Sequence, residues 1–348
     1  MIFTVGNVSL KGDVQNAVSQ FDPEKEIVDI ENISGHNNKI FRVKLRDSTI
    51  VCKFYTGEKG GQDCRKEVNM HHLLEKEIDV KTPEILYSDP EADKTKLPFF
   101  ISEYIDGSGF QDSFVELEAQ KQVEVVEQSG QILGEVHSQV SFKYAGELIS
   151  EEGNITVDRE LGWVEYITEE LSQAVDEAEE TRFSDLGKKA EDIVDRFSEL
   201  AEPEKKLVFY DFRPDNVIAK DGEIEALIDF ERAWSGDPLW DYAYSEMSFV
   251  EPHHYYEMQE PPKADEEKLR EAFQGGYEEK IKLGENWRKK VELYKLGIMI
   301  KRFNTFKGWT ESTEMTEGKI RRQEKLLRSS FDRLYQSLNM HSIGLSGI

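Results

Sequence analysis

The stretch from Asp211 to Asp229 brings together side chains that could share one reaction. Asp211 follows the apolar strand K-L-V-F-Y at 206–210, where a carboxylate could accept a proton from an attacking hydroxyl or orient it. Arg213 is a fixed positive charge of the kind that steadies a phosphoryl group in transfer. Asn216 and Asp229 offer oxygen ligands, which suits Mg²⁺ completed by water and phosphate oxygens. Together these roles describe phosphoryl transfer.

Between Asn216 and Asp229 the chain reads V-I-A-K-D-G-E-I-E-A-L-I, and Asp-Gly between two β-type runs favours a type I′ hairpin turn. With Asp221 and Gly222 as the loop, Lys220 pairs with Glu223 and Asn216 falls opposite Leu227. Asp229 then shares a face with Asn216 at a diagonal separation of about 7–8 Å, so the two could hold one cation. Any one of these residues alone reads more simply as a turn cap. The full set is hard to obtain as capping alone.

The elements that must position this set change character along the chain. Residues 40–45 and 48–55 read as a strand pair, 62–76 as a helix with apolar Val68, Met70, Leu73 and Leu74, and 98–107 as a buried strand stopped by a turn. Lys53 interrupts the otherwise apolar I-V-C-K-F-Y, so its charge must face solvent or be paired. From 113 onward the period is helical, over 113–139, about 160–200 and about 265–338, with the block at 207–230 as the exception. The fold class expected is α+β, with a small N-terminal antiparallel sheet carrying one helix over 1–105 and a larger, mainly helical part over 106–348. A hinge near 103–110 joins them.

At 348 residues two domains or lobes are the default. The net charge of −26 repels phosphate backbones and anionic lipid, which argues against nucleic acid and membrane as partners. It favours cationic ligands and equally serves solubility. No apolar run approaches the roughly 20 residues of a membrane span, and no secretory signal is evident at the N-terminus, so a cytoplasmic location is expected. Cys52 and Cys64 make neither a disulfide framework nor a metal site. A monomer or homodimer is expected.

D-F-R-P-D-N-V-I (211–218) followed by L-I-D-F-E (227–231) resembles the catalytic and metal-binding loops of the protein-kinase-like fold, and more closely its aminoglycoside phosphotransferase and choline kinase branch. W-S-G-D-P-L-W-D-Y-A (234–243) is similar to the G-D-P helix of that branch; there Asp237 is a good N-cap and Pro238 a good first helical residue. The resemblance implies a bilobal, protein-kinase-like fold and ATP-dependent phosphorylation of a hydroxyl on a small molecule. It implies Lys53 on the α- and β-phosphates, paired with Glu67. It implies a phosphate-covering loop at S-G-H-N-N-K-I-F-R-V (34–43), with Ser34 and Asn38 as its polar residues. The segment F-F-I-S-E-Y-I-D-G (99–107) resembles the hinge, where the carbonyl of Glu103 and the amide of Ile105 would read adenine.

His137, in I-L-G-E-V-H-S, reads as a structural residue beneath the loop. The family's loop opens H-G-D where this chain has Phe209-Tyr210-Asp211, so Phe209 is expected to brace it by packing. That departure keeps a nucleotide-binding regulator as the alternative function. A protein kinase is more distant, since no A-P-E-like segment follows Asp229. For the acceptor, His253, His254, Tyr255, Tyr256, Tyr277, Trp287, Tyr294 and Trp309 supply aromatics and Glu246, Glu251 and Glu257 supply acids, which would suit an aminoglycoside, choline or an amino sugar.

Overall fold

The computed structural model describes residues 10–33, 38–110, 114–256, 260–312 and 315–340. It divides into two compact units: Met1–Gly107 with Leu148–Thr156 and Glu225–Glu231, and Ser108–Glu147 with Val157–Ile224 and Arg232–Ile348.

The first unit is built on an antiparallel sheet of β1 (Ile27–Asn32), β2 (Lys39–Leu45), β3 (Thr49–Phe54), β4 (Ile85–Asp89) and β5 (Phe99–Glu103), in the order β1-β2-β3-β5-β4. Central strand β3 alternates Ile50, Cys52 and Phe54 into a core shared with Phe41, Val43, Phe99 and Ile101. Two helices serve this sheet where the sequence reading has one. The first, α1 (Lys11–Phe21), lays Val14, Ala17 and Val18 on that core, an i, i+3, i+4 stripe overlooked beside the stronger strand signals. The second, α2 (Gly60–Glu77), buries Cys64, Met70 and Leu74 together with the polar Glu67 and His71.

The second unit is mainly helical: α3 (Ala119–Gln139), α4 (Trp163–Ala178), α5 (Gly187–Ser198), α6 (Pro238–Ser245), α7 (Glu266–Glu278), α8 (Trp287–Ser312) and α9 (Glu317–Met340). Helices α3 and α7 approach until only glycine fits between them. A Cβ on Gly130 would stand 2.2 Å from the Phe273 carbonyl oxygen, and one on Gly276 would stand 2.1 Å from that of Glu127.

Short strands interleave with these helices. β10 (Lys205–Val208) pairs antiparallel with β7 (Ser141–Phe142) and with β13 (Trp234–Gly236), and β13 pairs in turn with the start of β8 (Gly146–Glu151), which precedes β9 (Asn154–Val157). Of this sheet the sequence reading has only the apolar strand at 206–210, which overlaps β10; β7 and β13, of two and three residues, are too short to show alternation. The expected hairpin is present: β11 (Val217–Lys220) and β12 (Glu223–Leu227) are joined by Asp221 and Gly222 at φ +52° and +77°, the pair of positive values that turn requires. Strand β11 also pairs with β6 (Ser108–Gly109). No helix among the described residues is long and apolar enough to cross a membrane.

Candidate active site

In the first unit, β3 carries Lys53 into the interior opposite Ile40 and Phe100, and α2 brings Glu67 to it. Lys53 Nζ lies 2.9 and 2.7 Å from the two Glu67 carboxylate oxygens and 2.8 Å from Asp229 Oδ1, with Glu231 Oε2 at 3.8 Å. The Tyr55 hydroxyl also donates to Glu67, and Asn38 Nδ2 donates to Glu231 at 2.6 Å. Burial works against the charge on Lys53, but Glu67, Asp229 and Glu231 outweigh it and hold the amine protonated. Burial pushes the Glu67 carboxyl up to about 7 despite Lys53. One ammonium among three carboxylates leaves an excess of negative charge. Behind the cluster His71 stacks edge-on against Phe230 at 4.9 Å, and burial pushes it down to about 3, so it is neutral packing.

In the second unit the loop after β10 turns sharply at Tyr210, whose φ is +66°. A non-glycine residue in that region is strained and must be held there. The holder is Asp241, buried on α6: its Oδ2 accepts the Phe209 N–H at 2.7 Å and its Oδ1 accepts the Tyr210 N–H at 3.1 Å. Asp241 is fixed in turn by His137 Nε2 at 3.4 Å, and His137 Nδ1 meets the Tyr277 hydroxyl at 2.9 Å. Tyr277 lies on α7 next to Gly276, so the glycine-lined approach of α3 and α7 reaches the loop through His137 and Asp241. Phe209 is buried and packs near Phe212, with ring centroids 5.9 Å apart; the hydrogen bonds that brace the loop come from Asp241.

Asp211 follows with its carboxylate fixed at one oxygen. The Tyr244 hydroxyl donates to Oδ1 at 2.7 Å and Arg213 Nε lies 3.2 Å from the same atom, which leaves Oδ2 to take a proton. Asn216 closes a single 3₁₀ turn, Pro214–Asn216, and its Nδ2 donates to the Asp211 carbonyl at 2.9 Å, leaving its side-chain oxygen as the acceptor end. Replacing Asp241 by asparagine keeps the size but sets an NH₂ against a backbone N–H. Each buried amide then left unpaired costs about 1–3 kcal/mol. Turnover is expected to fall at least tenfold with the KM for nucleotide nearly unchanged, read by steady-state kinetics; an unaltered kcat would remove Asp241 from the site.

Of the residues singled out in the sequence, the first unit thus brings together Lys53, Glu67, Asp229 and Asn38, and the second Asp211, Arg213 and Asn216. Glu103 ends β5, its N–H donating to the Glu84 carbonyl at 3.0 Å, and Ile105 is buried two residues on. Ser34 and Glu257 lie outside the described residues. Asp237 caps α6 by accepting the Leu239 N–H at 2.8 Å. The strand count for Asn216 and Asp229 needs correction: Asn216 sits in the 3₁₀ turn, and Asp229 lies beyond β12 at φ +69°, so pleat alternation governs neither.

The acids expected to greet a cationic acceptor are also corrected. Glu246 is fully buried and bound by Arg270, Arg288 and Lys295. Glu251 is buried with Lys295 and Arg270, which overcome burial and hold it at about 2. Tyr255, Tyr277 and Tyr294 are core residues, while Trp309 is partly exposed. Sequence reasoning missed Asp241 and Tyr244 as members of the site. Their spacing of three on one helix was the available signal.

A sequence profile of the phosphotransferase enzyme family matches residues 29–285. The chain belongs to this family. Family membership makes it a kinase-type phosphotransferase. Among solved structures, a protein from Ralstonia eutropha JMP134 described as an aminoglycoside phosphotransferase is 13% identical, with a TM-score of 0.68 over 94% of this chain and 98% of that one. Aminoglycoside phosphotransferase APH(4)-Ia is 16% identical, with a TM-score of 0.60 over 94% and 99%. APH(2")-IIa, solved as a ternary complex with streptomycin and ATP, is 17% identical, with a TM-score of 0.60 over 85% and 91%. At these identities the likeness is one of fold. No curated protein matches the chain.

Proposed function

We propose that the protein transfers the γ-phosphoryl group of ATP to a hydroxyl of a small molecule. The observation that carries this reading is the buried Lys53 held between Glu67 and Asp229. A lysine fixed by a helix glutamate and standing beside a potential metal-binding carboxylate is placed to meet nucleotide phosphates. Solved family relatives have been captured with AMP-PNP and hygromycin B and with ATP and streptomycin, which favours ATP as the donor here.

Asp211 serves as the base. Tyr244 and Arg213 fix one carboxylate oxygen, and the other takes the acceptor proton as the oxygen attacks. Arg213 adds a positive charge close to where the transferred group passes. The residues suit Mg²⁺: Asp229 supplies a carboxylate, and Asn216, with its NH₂ tied to the Asp211 carbonyl, supplies an amide oxygen. When bound there, the ion neutralises phosphate charge. Asn38 and, through their backbone, Glu103 and Ile105 take part in nucleotide binding on this reading. The range 1–105 acts as the nucleotide lobe and 106–348 as the catalytic and acceptor lobe. The bracing of the loop by Asp241 favours catalysis over a purely regulatory role, since it holds the Phe209 and Tyr210 N–H groups just before Asp211 without the family's histidine.

The test is acceptor-dependent ADP formation over a panel of sugars, sugar acids, amino alcohols and aminoglycosides. At least one compound is expected to raise ADP release well above the acceptor-free rate, with EDTA abolishing the gain and Mg²⁺ restoring it. Equal rates with and without every acceptor would defeat the proposal.

A further inference from the structure

Beside Asp211 the second unit gathers cations around an aromatic floor. Tyr210 stacks near Tyr244, with ring centroids 6.0 Å apart, and lies 4.4 Å from Trp234. The Arg302 guanidinium stands 5.4 Å over the Tyr244 ring and 4.6 Å over Tyr256, whose hydroxyl it also contacts. Lys301 Nζ lies 4.4 Å over Trp234, and Arg232 lies 4.9 Å over Tyr210.

Two features of this arrangement point the same way. Aromatic faces able to hold a ligand ammonium already hold the protein's own cations, so a cationic acceptor would meet like charge where it needs a π-face. Arg302 is the sharper case. Among the described residues no carboxylate pairs with it, and its Nη1 is buried without a hydrogen-bond partner, although the chain as a whole carries 70 acidic residues against 44 basic ones. A largely buried guanidinium without a counter-charge is costly unless a ligand supplies one. Arg213 Nε lies 3.2 Å from the same Asp211 oxygen that accepts the Tyr244 hydroxyl, while Arg302 stands over the Tyr244 ring, so both guanidiniums lie close to Asp211 and Tyr244. Among the described residues, the acids read as drawing an amine, Glu246 and Glu251, are sealed in ion pairs with Arg270, Arg288 and Lys295.

We propose that the phosphorylated hydroxyl belongs to an anionic compound, a small carboxylate- or phosphate-bearing molecule whose anionic group is held by Arg302 together with Arg213. The proposal rests on the kinase reading above and names the acceptor class for that same site. Guanidinium suits both anions, because its fork meets two oxygens at once.

The test uses two matched acceptor sets: glucose, gluconate, glucose 6-phosphate and glucosamine; and glycerol, glycerate, glycerol 3-phosphate and 3-aminopropane-1,2-diol. Wild-type enzyme is expected to turn over an anionic member with kcat/KM at least about tenfold above its amine counterpart, the range of one hydrogen bond to a charged group. Arg302→Met should collapse that anion-over-amine ratio by a similar factor, and Arg302→Lys should keep part of it. A ratio within one variant does not depend on how much of the protein is folded. An amine as the best acceptor, or a ratio unchanged in Arg302→Met, overturns this proposal and leaves the kinase reading standing. Turnover of no acceptor in either set above the level of Asp211→Asn defeats the kinase reading, and the acceptor class with it.

Discussion

An Asp211→Asn enzyme is expected to transfer phosphate about 10²–10⁴-fold more slowly than wild type, the usual contribution of a positioned general base. Asparagine is close to isosteric with aspartate and can still accept from the Tyr244 hydroxyl through its carbonyl oxygen, so the loop geometry should survive. What disappears is the second oxygen's ability to take a proton. The loss should therefore fall on kcat, with the KM for ATP changing less than about threefold because the nucleotide residues lie on other elements. In energy this is about 3–5 kcal/mol of transition-state stabilisation. Rapid-quench or steady-state measurement with a saturating acceptor decides the matter. An asparagine variant keeping a third of the wild-type kcat would reduce Asp211 to a structural anchor.

Lys53→Met should be the most damaging single change in the first unit. It removes the ammonium that Glu67, Asp229 and Glu231 share, whose carboxylate oxygens lie within 4.8 Å of one another. Breaking a buried pair by deleting one partner costs about 3–5 kcal/mol, because the remaining charge is left uncompensated. Two effects reduce that figure here. Asp229 is about a third exposed and partly screened by water. Glu67, already pushed up to about 7 by burial, can become neutral by taking a proton. The lower end of the range is therefore expected, seen as a drop in the thermal unfolding midpoint together with loss of ATP-dependent turnover. A double variant, Lys53→Met with Glu67→Gln, should recover much of the stability and none of the turnover. Equal midpoints for the single and double variants would show that the pair carries no net electrostatic coupling.

Legibility in the sequence followed how local the physics was. The Asp221-Gly222 turn was readable because two adjacent residues dictate its backbone, and both take positive φ as required. Lys53 was readable because a lone charge in an apolar strand needs a partner, found in Glu67 fourteen residues on. The α1 stripe was present in the letters and was overlooked beside the strand signals. The β7 and β13 strands were not readable, since they are fixed by their partners rather than by any pattern of their own. The same holds for the site. Asp211, Arg213 and Asn216 announce themselves as a motif, whereas Arg302 comes from a helix far along the chain, and only the folded structure shows that no carboxylate among the described residues pairs with it. Asn216 and Asp229 were picked by residue type, while the pleat argument failed because both lie just outside their strands.

Tyr210 carries a consequence for anyone engineering this enzyme. Its family counterpart in H-G-D is glycine, which adopts a left-handed backbone freely, whereas tyrosine at φ +66° bears about 1–2 kcal/mol of strain. Reverting to glycine would relieve that strain while returning about 0.5–1 kcal/mol to the unfolded chain's entropy, so the backbone gain is small. The same change would delete the ring that meets Trp234 and Tyr244 and lies beneath Arg232. A designer who restores the family consensus at this position would exchange the aromatic floor beside Asp211 for very little stability.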